Sequence, residues 1–356
     1  MNTVPPLAEL ITLGLPALVR ERGHQLNAQS LRALRDIARC RSGALGVNAL
    51  DCPDCHHHIQ SPRSCANRSC PTCQHHLCAR WLERQRAMQL PVPYFMLTFT
   101  LPAALRPLAY RHPRAVYAAL FAAANETVQT FAANDSKLAG TLGATAVLHT
   151  HNRRLDYHPH LHLIVPGLAL DAPRRQWGKL RTRYLFNSRN LATVFRAKLL
   201  HKLARLDLTV PDSLSKRWVV HCAHVGNGDP ALTYLARYLY RGVCAERDIL
   251  AFDPQRDRLT LRFRDGKTGR ARLRHFSLVD FLFQLAVHVL PKGFHRVRQF
   301  GLLHPNARQR RLLLQLLLRV DVSPVTPHVP KHAIRCPRCN TPMRFIRLRS
   351  PLAHPT

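Results

Sequence analysis

The residues from Tyr94 to Leu101 (Tyr-Phe-Met-Leu-Thr-Phe-Thr-Leu) form an apolar, aromatic and β-branched run that predicts a strand. Two further segments, Ala144–Thr150 and His158–Val165, predict strands, and Arg217–Val225 a fourth. In a strand, residues two apart share a face. Hence His160 and His162 project together while Leu161, Leu163 and Val165 face the other way, into a core. Helical spacing marks residues 1–45 (Leu31, Leu34, Ile37, Ala38), 77–90, 114–133, 191–206 and 277–290, the last closed by Pro291 and Gly293. Residues 230–241 predict another helix, entered through Gly226-Asn227-Gly228-Asp229, with Asp229 as its N-cap and Pro230 as its first residue. Short strands flank a turn at Asp265-Gly266. Between residues 50 and 80 the pattern gives way to Cys, His, Pro, Ser and Asn, a small module that needs cross-links in place of a core. Beyond the last helix lie a long basic stretch, Pro324, Pro327 and Pro330, and a final cysteine pair.

The 356 residues suffice for two or three domains. Charge changes the picture more: 53 Lys and Arg against 20 Asp and Glu give +33. Such an excess fits a polyanionic partner, because each neutralised phosphate releases a counterion. Nucleic acid is favoured over a membrane surface, since the basic residues form no single block beside an apolar span. No segment reads as a secretory signal or a membrane span, and the cysteines, 11 in all, include Cys-x-x-Cys spacings typical of metal sites in a reducing compartment. The expectation is a soluble cytoplasmic protein of bacterial type, associated with the nucleoid and not with a membrane.

Three constellations could carry chemistry. Cys52, Cys55, Cys70 and Cys73 have the form Cys-x2-Cys-x14-Cys-x2-Cys, and two such knuckles supply four thiolates for a tetrahedral structural zinc. Cys65 and Cys78 are spare thiols nearby; Cys336 and Cys339 form half a site, completed from elsewhere in the fold or left without a metal. His160 and His162 make half of a divalent-metal site, or are surface histidines of a chain that has 22. Tyr234 and Tyr238, four apart, lie on one face of their helix with Arg237 and Arg241 as neighbouring cations. They could attack a phosphodiester, pack, or stack on bases. Combined, a metal on the histidines would grip the scissile phosphate for in-line attack by tyrosine, conserving the bond energy without a nucleotide cofactor. The clusters Arg153-Arg154, Arg174-Arg175, Lys179-Arg181-Arg183 and Arg308-Arg310-Arg311 are solvated surface or the lining of a DNA groove.

Six ordered blocks carry a resemblance that runs over about residues 30–345. They are Ser-Cys-Ala-Asn-Arg-Ser-Cys-Pro-Thr-Cys-Gln, Tyr-Phe-Met-Leu-Thr-Phe-Thr-Leu-Pro, His-Pro-His-Leu-His-Leu-Ile-Val-Pro-Gly, the Tyr-Leu-Ala-Arg-Tyr helix, Phe-Arg-Asp-Gly-Lys-Thr-Gly and Val-Leu-Pro-Lys-Gly-Phe-His-Arg-Val-Arg-Gln-Phe-Gly-Leu-Leu. Together they resemble the rolling-circle insertion-sequence transposases with an N-terminal zinc-binding domain, of the two-tyrosine HUH (histidine, hydrophobic, histidine) endonuclease class. The resemblance implies an α+β fold with a central antiparallel sheet flanked by helices, the histidine pair on a middle strand and the tyrosines on a nearby helix. It implies a helical and zinc-binding domain over 1–90, a catalytic domain over 91–250 and a basic C-terminal region over 251–356. It further implies nicking and transfer of single-stranded DNA at element ends by Tyr234 and Tyr238, through a 5′-phosphotyrosine, with Mg or Mn at His160 and His162. His149, on the preceding strand, is the first choice for a third ligand, ahead of His151, His158 or an acidic residue. Cys65 or one of His56–His58 is a candidate fourth zinc ligand. Target DNA is the second expected partner. The rival readings are a replication initiator or relaxase and a catalytically silent zinc-ribbon regulator.

Overall fold

Two helices open the chain, α1 (Leu7–Arg22) and α2 (Ala28–Ala38). The second starts where the Asn27 side chain accepts the Ser30 N–H. A hairpin of β1 (Val47–Asp51) and β2 (His58–Pro62) and the helix α3 (His75–Arg86) follow. Next come β3 (Tyr94–Thr100), α4 (Arg106–Arg111), α5 (Pro113–Ala133), β4 (Thr141–Leu142), β5 (Ala144–His151), β6 (Tyr157–Pro166), β7 (Leu168–Asp171) and β8 (Gln176–Lys179). The remainder is α6 (Ser188–Ala204), β9 (Val220–His224), α7 (Asp229–Tyr240), β10 (Ile249–Asp253), β11 (Arg258–Arg264), β12 (Ala271–Phe276), α8 (Leu278–Val287), β13 (Val297–Phe300), α9 (Arg308–Leu317) and β14 (Arg344–Arg349). This is a computed structural model that describes residues 4–320 and 334–349, apart from 74, 172, 174, 175, 241 and 267. The Pro324–Pro330 segment and Arg174-Arg175 therefore lie outside the described residues. Among the described residues, no helix is long and apolar enough to cross a membrane.

The architecture is α+β. Its centre is a five-stranded sheet in the order β13-β5-β6-β3-β9, every neighbouring pair antiparallel, with β6 in the middle. One face buries Phe95, Leu97 and Phe99 from β3 and Leu161, Leu163 and Val165 from β6 among side chains of α5 and α6. The other face is dressed in two parts. Tyr94, Val147 and Ile164 pack under Leu232, Leu235 and Leu239 of α7. Further along the same face the apolar residues stop and imidazoles begin.

The described segments after residue 251 are shared out among several cores and sheets. Helix α8 buries Phe281, Leu282 and Leu285 against Leu10, Ile11 and Leu34 of the N-terminal helices, in a core shared with β11. Strand β13 completes the central sheet, Leu314 of α9 joins the core under α7, and β14 pairs antiparallel with β1. The order of the chain and the order in space diverge because short strands such as Val-Arg-Gln-Phe are recruited by an open sheet edge; their own polarity pattern would not make them strands.

Two contacts fix the start of α7. Arg86 of α3 holds the Asp229 carboxylate with two hydrogen bonds, Nε at 2.6 Å and a terminal nitrogen at 3.0 Å. Just before it, Gly228 adopts φ +86°, and a Cβ there would sit 2.7 Å from the Tyr94 ring. Both the left-handed backbone and the close approach require glycine. Gly228→Ala should cost about 1–3 kcal/mol in urea unfolding. The loss follows from displacing α7; an unchanged midpoint would contradict this account of the turn.

Candidate active site

The β5–β6 register sets His149 directly opposite His160 and Val147 opposite His162, while β3 sets Thr98 opposite His162 on the far side. Three imidazoles thus share one face. Their ring centroids are 4.5–5.0 Å apart, and their candidate ligand nitrogens all lie within 4.8 Å of one another. Hydrogen bonds orient them. The His160 Nδ1 is 2.7 Å from the carbonyl oxygen of His158. A carbonyl only accepts, so Nδ1 carries the proton and Nε2 keeps a free lone pair. His162 Nδ1 and the Thr98 hydroxyl are 2.9 Å apart, the same kind of outer partner. His149 is 1% exposed, and neither of its ring nitrogens has a hydrogen-bond partner among the described residues. An orphaned buried imidazole beside two oriented ones is a site that a metal ion would satisfy.

The rival third ligands are engaged elsewhere. His158 Nδ1 accepts a hydrogen bond from Arg106 at 2.6 Å, and His151 Nδ1 is hydrogen-bonded to the Tyr238 hydroxyl at 2.8 Å. No carboxylate shares the histidine cluster among the described residues. Burial, with help from neighbouring imidazoles, pushes His162 down to about 3 and His149 well below its usual value of 6.5. Burial likewise takes His160 to about 4. All three are therefore neutral at pH 7, the form in which imidazole ligates metal.

The tyrosines differ sharply in environment. Tyr234 is 44% exposed, its ring centroid 6.1 Å from that of His162 and 6.3 Å from that of His149. Tyr238 is partly buried, stacked on His149 and His151, with its hydroxyl committed to His151. Burial raises both phenols, more strongly for Tyr238; at Tyr234 the Arg153 charge works in the opposite direction. Arg237 is exposed on α7, and Arg241 lies outside the described residues.

The cysteines pair differently from their order in the chain. The structure does not bring Cys52 and Cys55 together with Cys70 and Cys73. One set is Cys40, Cys65, Cys70 and Cys73; the other is Cys52, Cys55, Cys336 and Cys339. Spacing identifies a Cys-x-x-Cys knuckle but not its partner, and Cys40 has no second cysteine near it to give it away. Cys65 belongs to the first set, where its thiol hydrogen bond draws Cys70 down to about 5, toward the thiolate. Thr98 also escaped the sequence reading; its sole signal was a hydroxyl at an alternate position of the strand beside the histidines.

Residues 143–311 match the family model described as "Putative transposase", and residues 14–101 match that of a "Transposase zinc-binding domain". Similar proteins include "Putative transposase y4qJ" of Sinorhizobium fredii, 32% identical over 316 residues, spanning 82% of this chain and 79% of that one. Another is the "Transposase for insertion sequence element IS801" of Pseudomonas savastanoi pv. phaseolicola, 29% identical over 323 residues, with 85% and 77% covered. The chain belongs to this family of rolling-circle insertion-sequence transposases and carries its N-terminal structural zinc-binding domain. Among solved structures, the conjugative relaxase TrwC in complex with mutant OriT DNA aligns at a TM-score of 0.28 and 16% identity, over 64% of this chain and 75% of that one. A metal-bound structure of the same relaxase with OriT DNA gives 0.28 and 17%, over 65% and 74%.

Two outcomes follow from the histidine cluster. Thr98→Val removes the hydroxyl beside His162 at similar size, and divalent-metal affinity measured by calorimetry should fall roughly 10- to 100-fold. In metal-free protein, His160 and His162 protonate near 6.5 when unfolded but only near 4 and 3 when folded. The unfolded chain binds the extra protons in between, so this contribution is complete above pH 6.5 and lost as pH falls toward 4 and 3. The melting temperature should drop across that interval, and a His160→Gln/His162→Gln variant should show a flatter profile.

Proposed function

We propose that this transposase nicks single-stranded DNA at the ends of its element by attack of Tyr234 on the scissile phosphate, with a divalent metal held by His149, His160 and His162. The observation that carries this reading is the juxtaposition of an exposed phenol with three neutral, oriented imidazoles on the sheet beneath it. The new bond joins the Tyr234 oxygen to phosphorus, and the bond from phosphorus to the 3′-oxygen breaks. The phenolic proton goes to solvent and the departing oxygen takes one up, leaving a 5′-phosphotyrosine and a free 3′-hydroxyl ready for transfer to target DNA. The metal, when bound, supplies charge neutralisation of the phosphate and in-line orientation. Because the donor set is all imidazole, Mn fits it better than Mg, which prefers oxygen ligands. Tyr238 acts second, once its hydroxyl leaves His151; until then it props His149 and His151 in place. Arg153 and Arg237 would meet the DNA backbone beside Tyr234, and a chain of charge +33 with this substrate would reside on the nucleoid.

The test is cleavage of labelled single strands from the DNA flanking the gene, with Mn, followed by peptide mapping of protein joined to DNA. The adduct should map to Tyr234, and Tyr234→Phe should lower first-strand cleavage by on the order of 10³-fold or more. Tyr238→Phe should retain the first adduct and lose the second transfer. An adduct on Tyr238 alone would reverse the order, and tight DNA binding with no adduct on any strand would identify a silent DNA-binding module.

A further inference from the structure

We propose that a second structural zinc ion clasps the two ends of the chain together, bound by Cys52 and Cys55 from the N-terminal hairpin and Cys336 and Cys339 from the C-terminal segment. The four sulfurs lie close enough to share one ion: Cys52 to Cys339 is 3.3 Å, Cys55 to Cys336 3.4 Å and Cys55 to Cys339 3.6 Å. A tetrahedron with Zn–S bonds of about 2.3 Å has edges of roughly 3.8 Å, so small outward shifts would admit the ion. The backbone repeats itself around the set. The His56 N–H donates to the Cys52 carbonyl as the Asn340 N–H donates to that of Cys336, at 3.1 and 2.9 Å. The Cys52 N–H donates to the His57 carbonyl as the Cys336 N–H donates to that of Thr341, at 3.0 and 2.9 Å. His56 and Asn340, each four residues after the first cysteine of its pair, both take positive φ, 52° and 62°. Two unrelated stretches, 284 residues apart at Cys55 and Cys339, thus form the same turn facing one another. The Thr341 hydroxyl donates to the Asp54 carboxylate across the pair at 2.5 Å.

Little else holds this junction. The buried apolar residues around it are Leu50 and Met343, with Ile59 packed alongside, too few to order two chain segments without a cross-link. The pairing that depends on it is nonetheless extensive: β14 runs antiparallel along the whole of β1, from Val47 with Arg349 to Asp51 with Arg344. The zinc-binding family match, residues 14–101, contains all of the Cys40–Cys65–Cys70–Cys73 set but only half of this one. The other half arrives from beyond the transposase match as well, which ends at 311. The clasp therefore lies wholly within neither matched region; it makes the C-terminal segment a structural part of the N-terminal domain.

The experiment counts zinc in the purified full-length protein and follows its release to a chelating dye. Cys55 and Cys339 are exposed, whereas Cys40, Cys70 and Cys73 are buried, so the clasp ion should leave in a separate, faster phase. Cys336→Ser/Cys339→Ser should lose one equivalent relative to wild type together with that phase, and amide exchange in β1 should rise. Iodoacetamide should find Cys52 and Cys55 protected in the loaded wild type and reactive in the variant. Cobalt reconstitution of the wild type, which needs no variant to fold, should give thiolate charge-transfer bands saturating at two equivalents. Saturation at one, an unchanged zinc count in the variant, or disulfides across Cys52–Cys339 and Cys55–Cys336 in protein purified without oxygen would overturn the clasp.

Discussion

Antiparallel pairing of β5 with β6 is the constraint on which the site depends. Residues directly opposite on neighbouring strands have Cβ atoms about 5 Å apart, close enough for two imidazoles to reach one point. A slip of one residue would turn His160 and His162 into the apolar core and Leu161 and Leu163 out beneath α7. The register is held from both faces, by Leu161, Leu163 and Val165 against α5 and α6 and by Ile164 and Val147 under α7. Ligand geometry is thus a by-product of burying hydrophobic side chains.

The phenols reach that point by a longer route. Helix α7 lies on the sheet through Leu232, Leu235 and Leu239, and Tyr234 and Tyr238 flank that stripe with helical spacing. Its entry is set by the Gly228 turn over Tyr94 and by the Arg86–Asp229 pair. Arg86 belongs to the helix that leaves the Cys65–Cys73 region, so the zinc-binding domain abuts the helix that carries the tyrosines. A domain that the sequence sets apart from the catalytic one is in contact with the helix that carries the tyrosines.

What was legible in the sequence follows from how local each feature is. The strand alternation put His160 and His162 on one face, and helical spacing put Tyr234 and Tyr238 on another, because both periods are properties of a few consecutive residues. His149 could be ranked first but not singled out from His151 and His158, since only the register distinguishes them. The remaining features are non-local. Strand β13 is four residues that become a strand against β5; β14 carries Arg344, Arg347 and Arg349 with no strict alternation and pairs with β1 from the other end of the chain; and the cysteine knuckles each look complete or incomplete until their partners are known. Pairing the knuckles by nearness in sequence joined two halves of different sites.

The histidine cluster also has an electrostatic logic. Carboxylate ligands would cancel the charge of a divalent ion, but no carboxylate shares this cluster among the described residues, and the imidazoles are neutral. An ion bound here would keep its full double charge, in a site where Arg296 already bears on His149 and Arg153 on Tyr234. Such a site is short of negative charge, and water relieves that only partly on a half-buried surface. In the proposed reaction a DNA phosphate would supply the missing charge beside Tyr234. Substrate and metal would then stabilise one another's binding, each being costly to hold without the other. The same deficit raises the cost of the bare site, which the neutral, unprotonated state of the three imidazoles keeps low.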